Sequence, residues 1–174
     1  MSKNLTGRQS VLCAALLACA LVWGCNSSPT SPPGGPVTTT FGPLSGTSAW
    51  VGTWTDTRYQ VSGSLNATIT VNGSTVTATG TIGLASLGLG NETGTGTGTI
   101  SGNTLTFTFQ SSTVGTGMGT LSNAGTGSGS GTVTGALNFG AFTYTGTVTA
   151  STITGTFTFT SATGGFGVAT LTRQ

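Results

Sequence analysis

Charge is the first thing this chain lacks: of 174 residues, four are Lys or Arg, two are Asp or Glu, and none is His. Without histidine, general acid–base work falls to Asp56, Glu92, Tyr59 and Tyr144. A paired-carboxylate glycosidase holds two acids across one sugar bond. Here Glu92 lies in the loop-like "LGLGNETG", and nothing in the pattern pairs it with Asp56. A zinc site needs a set of Cys, His and acid ligands that the chain cannot assemble. The glycine-rich "GTGSGSG", 125–131, has neither the lysine nor the following helix of a phosphate loop. The expectation is a protein that is not an enzyme and holds no cofactor or metal.

Long hydrophobic runs are also missing, apart from "VLCAALLACALVW", Val11 to Trp23. It is too short to span a bilayer as a free helix, and it follows Lys3 and Arg8, the order of a secretory signal. The run ends in Val22-Trp23-Gly24-Cys25. This resembles the bacterial lipobox, with an aliphatic residue three places before the cysteine and a small one just before it. Trp23 departs from the usual small residue. Cys19, after Leu16-Leu17-Ala18, is a rival, but it leaves only about eight apolar residues behind Arg8. The resemblance implies a signal peptide over residues 1–24, a diacylglycerol thioether on Cys25 and an acylated new amino terminus. Several chains on one residue anchor far better than one, each buried methylene adding about 0.8 kcal/mol. Asn26 replaces the aspartate that in enteric bacteria retains lipoproteins at the inner membrane, so an outer-membrane destination is expected. The alternative is an ordinary secreted protein with a chance cysteine.

Processing would remove Lys3, Arg8, Cys13 and Cys19. Arg58 and Arg173 then stand against Asp56 and Glu92, two against two, and no basic patch is left for nucleic acid. With Cys25 acylated, no thiol pair remains for a disulfide.

Proline is confined to positions 29, 32, 33, 36 and 43. Residues 25–45 therefore read as a lipidated cysteine followed by an extended tether. At roughly 3 Å per residue, about twenty residues reach several tens of ångströms from the membrane. Residues 46–174 are enough for one domain.

Helical spacing is absent from that domain. What is there instead is threonine at every second place, as in "TVTATGTI" (75–82), "TLTFTF" (104–109) and "TITGTFTF" (152–159). Period-two alternation in β-branched and aromatic residues marks half-buried strands. Asn72-Gly73 between two such runs marks a tight hairpin. The alternation predicts strands over 48–60, 63–71, 74–83, 93–100, 104–110, 113–121, 128–136, 141–149, 152–160 and 165–173. Short links make an antiparallel up-and-down meander of about eight to ten strands the expected topology. Closing it into a small barrel hides the edges; a β-sandwich is the alternative. Core packing is expected for Phe107, Phe109, Phe142, Phe157 and Phe159.

"GTW", Gly52-Thr53-Trp54, on the first strand and Arg173 on the last resemble the lipocalin and calycin pattern. That resemblance implies that Arg173 packs across Trp54, with Gly52 beside it, and closes the base of the barrel. "GTW" is also similar to the opening of the avidin family, whose Trp-rich biotin-site pattern is missing. By alternation, Trp50, Asp56 and Arg58 share the face of Trp54, which makes them candidate polar anchors in a ligand cavity. In the competing reading the strand bends past Gly52 and both charges sit in water. Function then divides three ways: a lipid-anchored carrier of a small apolar molecule, a structural or interaction module with a filled core, or a threonine array facing ice or glycans. The irregular strand spacing speaks against the array. The tether and the terminal "TRQ" speak against a barrel embedded in the membrane. Neither oligomeric state nor protein partners can be read from the residues.

Overall fold

The computed structural model describes residues 40–111, 115–133, 140–160 and 165–174. Cys25, its leader and residues 26–39 of the tether lie outside the described residues. A two-residue hairpin comes first, β1 (Thr40–Phe41) and β2 (Leu44–Ser45). Ten long strands follow: β3 (Thr47–Asp56), β4 (Val61–Asn72), β5 (Thr75–Gly83), β6 (Asn91–Ser101), β7 (Thr104–Ser111), β8 (Gly115–Ser122), β9 (Thr126–Val133), β10 (Gly140–Val148), β11 (Thr152–Phe159) and β12 (Phe166–Arg173). Each pairs antiparallel with its sequence neighbours, and β12 pairs with β3 to close the barrel. The meander is therefore all-β and closed, and the sandwich alternative does not apply.

Every predicted strand has a counterpart among the described residues, positions 113–114 and 134–136 of two of them lying outside those residues, and one end differs instructively. The first was expected to run to residue 60, but β3 stops at Asp56 and residues 57–60 form a turn. Gln60 takes φ +55°, a left-handed conformation costly for a residue with a Cβ. Glu92, expected in a loop, is the second residue of β6.

Alternation sorts the wall. In β11, Ile153, Phe157 and Phe159 are buried while Thr154, Thr156 and Thr158 face solvent. The register carries hydroxyls from strand to strand around the outside: Thr75 lies opposite Thr99, Thr99 opposite Thr106, Thr106 opposite Thr120, and Thr120 opposite Ser128. A β-branched side chain favours the strand on either face, so threonine supplies strand propensity and a wettable exterior together.

β3 begins at the end of the barrel called here the base and finishes at the upper end. At the base, the hairpin β1–β2 turns through Gly42-Pro43, with Gly42 at φ +53° as the first central residue of such a turn requires. Phe41 and Leu44 are each 1% exposed and join the core. The expected domain boundary at residue 46 is thus corrected: the last residues assigned to the tether form a plug. An aromatic ring and an isobutyl group gain more inside the barrel base than in a solvated linker.

Candidate functional site: the barrel interior and its two ends

Trp50 and Trp54 are both 0% exposed and point inward from β3, with Gly52 between them on the same face. Opposite Gly52 runs β12, so close that an added Cβ would lie 2.7 Å from the Leu171 Cα. Glycine is required here by the approach of a neighbouring backbone. Trp54 lies over Gly63, its partner on β4, and its indole N–H donates to the Gly83 carbonyl at 3.1 Å.

The arginine clasp exists, but with the other tryptophan. The Arg173 guanidinium carbon lies 5.8 Å from the Trp50 ring centroid. Antiparallel register explains the correction: Arg173 stands opposite Trp50, whereas Trp54 stands opposite Ala169. Four residues of strand, roughly 13 Å, separate the two positions. The clasp joins the first and last strands of the barrel at its base. There Trp50 also donates to the Ser48 hydroxyl at 2.8 Å, and Arg173 Nη2 is 3.5 Å from the Ser45 carbonyl.

Arg58 does not share the inward face. The strand ends before it, and it is exposed, with its guanidinium carbon 5.7 Å from the Tyr59 ring centroid. Asp56 does point inward and is 0% exposed. Its Oδ1 accepts the backbone N–H groups of Arg58 and Tyr59, both at 2.9 Å, which staples the turn. Its Oδ2 is buried and has no hydrogen-bond partner. Desolvation pushes the carboxyl above its ordinary pKa of 3.8, outweighing the two backbone hydrogen bonds and the Arg58 charge, which pull the other way.

The interior between these ends carries a regular device, in which aromatic rings lie over glycines of neighbouring strands. Phe107 stands between Gly98 and Gly119 in register, and Phe109 between Gly96 and Gly117. Tyr144 on β10 stands opposite Gly129 on β9, itself opposite Gly119 on β8. The Tyr144 ring spans both glycines, and its hydroxyl donates to the Met118 carbonyl at 3.1 Å. A Cβ on Gly119 or Gly129 would collide with that ring or hydroxyl. One on Gly131 would come 2.5 Å from Phe142 Cζ, and one on Gly167 the same distance from Phe157 Cζ. Phe107, Tyr144 and Phe142 follow one another at centroid separations of 6.3 Å, and Phe159 stands 6.3 Å beyond Phe142. These spacings suit tilted aromatic contacts. Burial also pushes the Tyr144 phenol far above its ordinary pKa, so it stays a neutral donor.

Two concavities of this barrel are lined mostly by outward-facing residues, with buried Trp50 and Ala67 at the first and Phe109 and Phe142 at the second. A broad one of about 830 Å³ is lined by Val51, Asn66, Thr79, Thr95, Gln110 and Thr116. Another of about 560 Å³ is lined by Thr97, Thr108, Met118 and Ser130 among others. Among the described residues, charge is confined to the ends: Asp56, Arg58 and Glu92 at the upper one, Arg173 at the base. No three His, Cys, Asp or Glu side chains come together there as a metal-holding group.

Of the residues that alternation grouped on one face, Trp50, Trp54 and Asp56 point inward and Arg58 does not. Sequence reasoning missed Ser48, Phe41 and Leu44 at the base. Phe41-Gly42-Pro43-Leu44 carried the signal, two apolar residues around a turn-forming pair, but it was submerged in a proline-rich stretch.

No protein-family model matches the chain, and no curated protein is a significant match. Among solved structures, it is similar to the crystal structure of Rv2717c from M. tuberculosis, with a TM-score of 0.50 at 11% identity over 92% of this chain and 97% of that one. At that identity the likeness concerns the fold alone: the chain is a closed ten-stranded antiparallel β-barrel with a buried aromatic core.

Proposed function

We propose that this chain is a lipid-anchored lipoprotein of the bacterial cell envelope, destined for the outer membrane. Its barrel acts from the outside, as a non-catalytic structural or interaction module with a filled core. The observation that carries the filled-core reading is the stacking of Phe107, Phe109, Phe142 and Tyr144 over glycines, which uses the space a carrier would keep for cargo. An apolar ligand would have to displace those rings. Val22-Trp23-Gly24-Cys25 supports the anchor, and Asn26 supports the destination. The hydroxyl-rich exterior supports a barrel standing in water, since a membrane-spanning barrel turns an apolar band outward. Two acids, two tyrosines and no histidine after processing support a non-catalytic role.

Expression of the full chain in a bacterial host, followed by membrane fractionation and native mass spectrometry, tests this reading. The expected product begins at Cys25, carries acyl mass, fractionates with the outer membrane and shows no further adduct. Cys25→Ala should release the protein from the membrane. A membrane-free wild-type product would sink the anchor. A stoichiometric small-molecule adduct that survives delipidation would replace the filled-core module with the carrier of a small apolar ligand.

A further inference from the structure

We propose that Asp56 is a proton-operated latch for the upper end of the barrel: a neutral carboxyl keeps the β3–β4 turn seated, and ionisation loosens the turn and the strands beside it. Asp56 is the last residue of β3, with Gly167 of β12 opposite it on one side and Val61 of β4 on the other. It therefore sits where the closing seam of the barrel meets the turn 57–60.

Its two oxygens are treated differently. Oδ1 is saturated by the N–H groups of Arg58 and Tyr59, while Oδ2 has neither solvent nor a hydrogen-bond partner. The surroundings are apolar: Trp54 precedes it on the same face, and the Phe157 ring covers Gly167 across the seam. A proton on Oδ2 removes the charge and leaves both staples in place. Ionised, the carboxylate is a buried charge whose second oxygen has no donor, a state that favours opening to water.

Few other groups compete. Within the turn, the Arg58 side chain is exposed and adds a nearby positive charge to the hydrogen bond that its backbone N–H makes, and Tyr59 is half-buried. β4 presents Val61, Ser62 and Gly63 near this end, β12 presents Phe166, Gly167 and Val168, and β11 presents Phe157, none of which titrates. Glu92 stands on β6, and Arg173 is at the opposite end.

The turn is built to yield. Gln60 holds its left-handed φ of +55° with a side-chain N–H donated to the Thr57 carbonyl at 2.7 Å, and such conformations persist only while their surroundings enforce them. The direction follows from linkage. A carboxyl whose folded pKa is raised contributes stability that is fully present below its ordinary value of 3.8 and is lost as pH rises through the folded value.

Hydrogen exchange on the full chain in detergent tests the latch. The probes are the Arg58 and Tyr59 amides and the Trp54 indole N–H, with the Trp50 indole, bonded to Ser48 at the base, as internal control. After correction for intrinsic base catalysis, protection of the three upper probes should fall several-fold as pH rises from below 3.8 through the raised Asp56 value, while Trp50 stays constant. Asp56→Asn keeps a neutral side chain and should abolish the fall. The same fall in the variant, or none in the wild type, would overturn the latch. Should the variant fail to fold, a carbon-13 titration of the wild-type Asp56 carboxyl decides. A midpoint above 3.8 that coincides with the loss of protection supports the latch, and a midpoint at or below 3.8 overturns it.

Discussion

Replacing Gly119 by alanine asks whether the barrel is full, because the two answers differ in sign. In open space a Gly→Ala change in a strand stabilises by about 0.4–1 kcal/mol, since it restricts the unfolded chain. At Gly119 the new methyl would meet the Tyr144 hydroxyl, with Ser128 O at 2.7 Å and Phe107 Cζ at 2.8 Å. Forcing a methyl into packing this tight costs about 1–3 kcal/mol. The net expectation is a loss of about 1–2 kcal/mol, or roughly 3–10 °C in midpoint for a domain of this size. Thermal and denaturant unfolding followed by tryptophan fluorescence would read it. Gly90→Ala is the control: nothing lies within 4 Å of its added Cβ, and its backbone is not left-handed, so a small gain is expected. In a Tyr144→Phe background the hydroxyl facing the new methyl is gone, and the Gly119→Ala penalty should shrink by about 1 kcal/mol. A neutral or stabilising Gly119→Ala would refute the reasoning, because the Tyr144 ring would then have room to move aside.

The base should be energetically continuous with the core. Phe41→Ala is expected to cost about 3–5 kcal/mol in chemical denaturation, as for a buried phenylalanine anywhere; a cost below about 0.5 kcal/mol would return residues 40–45 to the tether. Arg173→Ala combined with Trp50→Phe should show a coupling of about 0.5–1 kcal/mol in a double-mutant cycle, whereas the cycle with Trp54→Phe should close near zero. Wild-type thermal stability should decline as pH rises through the raised Asp56 value, and the Asp56→Asn curve should lie above it once Asp56 is ionised. An Asp56→Ala variant loses the acceptor for two turn amides and should be less stable throughout, by about 1–3 kcal/mol.

How much of this was legible in the residues depends on which force set each feature. Strand positions followed from alternation, because in a wall with one dry face the period of two cannot be violated without turning threonines into the core. Closure followed from the same logic, since ten strands in series leave edges that must pair. The partner of Arg173 did not follow: "GTW" drew attention to Trp54, but the β12–β3 register, set by the whole barrel, put Trp50 opposite the arginine. The fate of Arg58 turned on where β3 ended, and the Asp56 staple that ends it involves two backbone N–H groups that no side-chain pattern reveals. Whether the interior was hollow or full was undecidable from composition. Glycine on an inward face creates space, and only the register reveals that Phe107, Phe109 and Tyr144 stand beside those glycines.

The filled interior is the claim on which the rest depends, and uptake of a small apolar probe tests it most directly. Dry cavities of about 150 Å³ lined by apolar side chains bind benzene or xenon, so benzene binding should be measured by NMR on the wild type and on Phe107→Ala. No saturable binding to the wild type is expected, with new binding in the variant, where the ring over Gly98 and Gly119 has been removed. Saturable binding to the wild type, equal to that of the variant, would mean that the barrel was hollow from the start.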